Sequence, residues 1–129
     1  MVLFLVHVHT FLGLLMILYA VIVFGVAALG GLVLASSVLR GKTAPWALSV
    51  LHALLGATGI VILLIAAASH DWAAQLSAAL GLFVVAAIGG SYLASFHWRK
   101  IPTPKAVVII HAGLAVTAFL ILLAGLFTL

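Results

Sequence analysis

Two histidines, His52 and His111, sit in stretches with almost nothing else polar: "VLHALLGATG" at 50–59 and "IIHAGLAVTA" at 109–118. An imidazole inside an apolar run must find a partner, because an unsatisfied polar group there is costly. The neutral ring has one donor nitrogen and one lone-pair nitrogen, so it can hydrogen-bond a backbone carbonyl, relay a proton or ligate a metal. A relay ordinarily uses carboxylates, and the only acid in the chain is Asp71, which lies in a polar break. Zinc asks for three or four protein ligands. Axial ligation of a haem iron asks for two nitrogens, one from each side. A plain hydrogen bond to a neighbouring carbonyl is the structural alternative.

The two histidines are not independent. Residues 24–66 align without gaps onto 83–125 at a constant offset of 59, with nineteen of the 43 positions identical. "FGVAALGGLVLAS" corresponds to "FVVAAIGGSYLAS", Arg40 to Arg99, Pro45 to Pro104 and His52 to His111. The chain is a duplicated helix hairpin. Two helices per unit preserve orientation, so the repeat is parallel, with its axis along the membrane normal. His52 and His111 therefore lie at the same depth on parallel helices. Each heads a small-residue stripe at helical spacing: His52, Gly56, Gly59, Leu63 and Ala66; His111, Ala115, Ala118, Leu122 and Gly125. Such stripes face a bundle interior rather than lipid.

Two inward imidazoles related by a pseudo-twofold suit bis-histidine ligation of one haem b. Gly30, Gly31, Gly89 and Gly90 fall at a similar depth on the first and third helices, where missing side chains leave room for a macrocycle or for close helix packing. Arg40 and Arg99 stand at the membrane edge, either as partners for two propionates or as topology signals. At the opposite face, His9 shares the inner stripe of the first helix with Gly13, Ala20, Ala27 and Gly31. His7 lies about 200° away from it. His70 follows His52 by five helical turns, beside Asp71. His9 and His70 are thus candidate ligands for a second, outer haem, although they are not repeat mates and no basic residue lies near them. A bound copper or simple interfacial contact are the other readings of this cluster. His97 reads as interfacial.

The elements that must position these residues follow from composition. The 129 residues are 68% hydrophobic and 5% charged, with no cysteine. A spanning helix takes about 20 apolar residues, so the chain holds four spans and no soluble domain. This predicts one all-α membrane domain over 1–129, a four-transmembrane-helix bundle built from the duplicated hairpin. Thiol chemistry is excluded. The spans are expected at 10–39, 46–68, 72–97 and 105–129. All five basic residues (Arg40, Lys42, Arg99, Lys100 and Lys105) fall in the first and third breaks. The net charge of +4 is therefore a topology signal rather than a nucleic-acid footprint. By the positive-inside rule both termini are non-cytoplasmic, in what reads as a bacterial inner membrane.

With His52, His111, the glycine pairs and, more weakly, His9 and His70, the chain resembles the four-helix transmembrane b-type cytochromes in architecture. In those proteins alternate helices pair through histidines to hold haem near each membrane face. The resemblance implies electron transfer within or across the bilayer, with other membrane subunits or a redox partner, and possible use of quinone. The rival reading is a non-redox accessory subunit of a larger membrane complex. An exporter is a third idea, weakened by the lack of a membrane-embedded carboxylate.

Overall fold

The computed structural model describes residues 1–69 and 74–127, with all side chains among them except those of residues 2, 3, 5, 6, 9, 10 and 69. Four helices account for nearly all of it: α1 (Val2–Leu39), α2 (Trp46–Ser69), α3 (Ala74–Trp98) and α4 (Lys105–Leu126). Each contains a stretch long and apolar enough to cross a membrane: Phe11–Leu39, Trp46–Ala68, Ala74–Trp98 and Lys105–Leu126. In hydrocarbon every backbone N–H and C=O must be paired within the segment, which leaves the helix as the solution for runs of this composition. The protein is an all-α, four-helix integral membrane protein. The first helix continues through the opening residues, and the end of α1 and the starts of α2 and α4 fall where the sequence placed them.

The two hairpins are closed by the same device. At the end of α1, Gly41 N–H donates to Val38 O and Lys42 N–H to Ser37 O, both at 2.9 Å. At the end of α3, Lys100 N–H donates to His97 O and Ile101 N–H to Phe96 O, both at 3.1 Å. Both are Schellman motifs, whose turning residue takes a left-handed conformation. Gly41 does so at φ 74° and its repeat mate Lys100 at φ 55°. Pro45 and Pro104 then open the return helices. Their carbonyls accept the first bonds, from Ser49 N–H at 3.0 Å and Val108 N–H at 3.2 Å.

Around the bundle each helix packs on the two beside it, so α1 and α3 occupy one diagonal and α2 and α4 the other. The core is made of repeat mates: Ile17 with Leu76, Ala20 with Ala79, Phe24 with Phe83 and Leu63 with Leu122. The 59-residue correspondence thus continues upstream of Phe24, into residues where identity has largely faded. Phe24 and Phe83 meet on the axis, with ring centroids 3.7 Å apart and planes 2° from parallel. Gly59 admits the first of these rings, since a Cβ there would lie 2.6 Å from Phe24 Cζ. This tight packing fills the half of the bundle away from the basic loops. Toward those loops the buried apolar residues shrink to Ala27, Ala86 and Val108.

Candidate functional site

That more open half contains the histidines. His52 on α2 and His111 on α4 face each other across the diagonal, half-buried, with ring centroids 6.2 Å apart and planes 77° apart. Each ring is fixed by the same bond. His52 Nδ1 lies 2.9 Å from Ala27 O of α1, and His111 Nδ1 lies 2.9 Å from Ala86 O of α3. Ala27 and Ala86 are themselves repeat mates. A carbonyl oxygen can only accept, so Nδ1 carries the proton and donates in both. The neutral tautomer then leaves the lone pair on Nε2.

The glycine pairs divide into two roles. A Cβ on Gly31 would come within 2.9 Å of His52 Cε1, and one on Gly90 within 3.1 Å of His111 Cε1. These two glycines are cradles for the imidazole rings. Gly30 and Gly89 are looser: a Cβ would meet Leu48 Cδ1 at 3.6 Å and His111 Nδ1 at 3.7 Å, both ordinary contacts. The site is therefore four-helical. α2 and α4 supply the rings, and α1 and α3 supply the carbonyls that orient them and the glycines that admit them.

Arg40 and Arg99 turn back on their own helix ends. Arg40 Nε donates to Ser36 O at 3.1 Å and Nη2 to Ser36 Oγ at 2.9 Å. Arg99 does the same with Ser95, at 3.1 and 3.0 Å, and lies over the Phe96 ring at 5.0 Å. They satisfy late helix carbonyls, as basic residues near a helix C-terminus do. His70 and the side chain of His9 lie outside the described residues, so the expected outer pair falls there too. His7 is exposed. His97 stands at the end of α3, with its ring 4.8 Å from that of Trp46 at the start of α2.

His52 and His111 offer two imidazoles on opposed helices, the number that axial ligation of a haem iron asks for. Among the described residues, no group of three or more His, Cys, Asp or Glu gathers to hold an ion. Two metal–nitrogen bonds of about 2.0 Å, plus roughly 1.2 Å from nitrogen to ring centre on each side, span roughly 6.4 Å. The imidazole centroids are 6.2 Å apart. The orienting carbonyls complete the usual arrangement, in which a ligating histidine donates its other N–H to a fixed acceptor. No family model matches the chain, and no curated protein or solved structure matches it either.

The Ala27 and Ala86 carbonyls could not have been named from sequence, because any helical residue supplies one. The Phe24–Phe83 stack could have been. The two open the aligned segments, and the same pseudo-twofold that pairs the histidines pairs them.

Proposed function

We propose that the protein is a b-type cytochrome that carries electrons within the bilayer, with one haem b ligated by His52 and His111. The observation that carries this reading is the matched pair of imidazoles, opposed across the diagonal, each with Nδ1–H committed to a carbonyl of the neighbouring helix. When bound, such a haem supplies a one-electron couple whose potential depends on its axial ligands and on burial.

The chain's own contribution is to hold two imidazoles in place. The Nδ1–H bonds to Ala27 and Ala86 set ring orientation and make Nε2 a better donor. Gly31 and Gly90 let the rings approach α1 and α3. Ala27, Ala86 and Val108 keep the surroundings apolar, which favours the redox form of lower net charge. Arg40 and Arg99, at the ends of α1 and α3, are the candidates for propionate contacts. A single centre near the cytoplasmic face does not cross ~30 Å of hydrocarbon. Completing a path takes a second haem on His9 and His70 or a partner subunit, with quinone among the candidate redox partners.

The test is the visible spectrum of the purified protein, oxidised and reduced, with His52→Ala and His111→Ala beside it. Sharp reduced-state bands that disappear in both variants support the reading. Unchanged haem content in both variants ends it, and a flat spectrum in the wild type favours the non-redox accessory subunit. His9→Ala and His70→Ala then separate one centre from two. A two-step redox titration that becomes one-step in either variant identifies the outer haem.

A further inference from the structure

At the basic face the two hairpins stop being alike. Between the start of α2 and the end of α3 lies a cleft of about 410 Å³ lined by Trp46, His97, Trp98 and Lys100. At the four repeat-matched positions the other unit has Lys105, Val38, Leu39 and Gly41. A chain whose core and histidine site keep the duplication has thus changed all four residues around one cleft.

The change at Lys100 is the most informative. Its mate Gly41 occupies the left-handed Schellman position at φ 74°, where glycine carries no penalty. Lys100 holds the same conformation at φ 55°, although a side chain there is disfavoured. An observed backbone outlier of this kind points toward function when its side chain reaches a site. Here the side chain reaches the cleft and brings a positive charge. The walls suit the hydrocarbon–water boundary. Trp46 lies against His97 at 4.8 Å and near Trp98 at 6.2 Å, and Trp98 is 77% exposed.

We infer that this cleft binds the phosphate headgroup of an anionic phospholipid, with Lys100 as counter-charge and the indole and imidazole N–H groups as further donors. The charge decides the class of ligand, since an ammonium pairs more strongly with an anionic oxygen than with a neutral acceptor. Arg99 and Lys105 lie nearby in sequence, while the only acid, Asp71, belongs to the opposite loop. Position decides the source. Basic pockets between transmembrane helices on the cytoplasmic side hold lipid headgroups, and acyl chains supply the affinity that one lysine cannot supply for free phosphate. The inference does not depend on haem.

The test uses the full chain in detergent, titrated with phosphatidylglycerol or phosphatidylcholine. Binding is read from tryptophan fluorescence and from lipid retained in native mass spectrometry. Lys100→Gly and His97→Val install residues that the other unit already carries, so both variants are compatible with the fold; helicity by circular dichroism checks this. One phosphatidylglycerol should be retained in preference to phosphatidylcholine, and Lys100→Gly should weaken that preference about fivefold, the effect of one basic residue near an anionic surface. Inorganic phosphate should not compete at millimolar concentration. Equal retention of the two lipids, undiminished preference in Lys100→Gly, competition by inorganic phosphate, or saturable quenching by a short-chain quinone but not by phosphatidylglycerol would each overturn the proposal.

Discussion

Replacing Gly31 by alanine should damage the histidine site without destabilising the protein. The new Cβ would start 2.9 Å from His52 Cε1. Carbon–carbon contacts settle at about 3.5–4.0 Å, so the ring must retreat by roughly 0.6 Å or more. That retreat strains the 2.9 Å bond from Nδ1–H to Ala27 O. Losing such a bond costs about 0.5–1.5 kcal/mol, while alanine in place of a mid-helix glycine returns roughly 0.5–1 kcal/mol. The two nearly cancel in stability. They do not cancel at the site, where a ligand displaced by more than ~0.5 Å no longer fits its constellation. Gly90→Ala begins from 3.1 Å and should do the same more mildly. Gly30→Ala and Gly89→Ala begin from 3.6 and 3.7 Å and should leave the site intact while raising stability by about 0.5–1 kcal/mol. The assay is reduced-state absorbance per protein together with thermal unfolding in detergent, across all four variants. Equal effects at Gly30 and Gly31, or full occupancy in Gly31→Ala, would falsify the account of the cradle.

Two further expectations come from the core and the loops. Phe24→Ala and Phe83→Ala should each cost about 1–3 kcal/mol, below the range for soluble cores because lipid replaces water in the reference state. Their double-mutant cycle should show a coupling of about 0.5–1.5 kcal/mol, measured by unfolding in mixed micelles, and a coupling of zero would mean that the stack is not energetically real. The chain has no cysteine, so single cysteines can map topology without background. Cysteines at Gly41 and Pro102 should react with an impermeant maleimide only from the cytoplasmic side. Labelling from the outside would invert the assigned orientation.

The fold was legible because its rules are few. Four apolar runs, prolines at the start of the return helices and a 59-residue repeat leave little freedom, and the matched His52 and His111 identify the face on which the helices meet. The diagonal placement of those two helices was not legible, since adjacent and diagonal arrangements satisfy the same stripes. Side-chain bulk selects between them: the Phe24 and Phe83 rings claim the axis from α1 and α3 and hold those helices apart. The glycine pairs were read as one feature. In the structure the second glycine of each pair, Gly31 and Gly90, lies tightest against an imidazole, while Gly89 makes only ordinary contact with His111 and Gly30 meets Leu48 instead, because successive helical residues point about 100° apart. Lys100 could have been noticed as a lysine aligned with a turn glycine, but its strain exists only as a backbone angle.

The pairs that straddle the axis, Phe24 with Phe83 and His52 with His111, are what an isologous contact between two identical hairpins would produce. One hairpin carrying one histidine could have built this centre as a homodimer, each copy contributing a ring, a carbonyl and a glycine. In a homodimer, however, any substitution appears twice, so a lysine at the turn would line two clefts and strain two turns. Covalent fusion removed that constraint. The symmetric interior kept what both halves must share, while the rim became free to differ, and the cleft beside Lys100 is a difference that a homodimer could not acquire on one side alone.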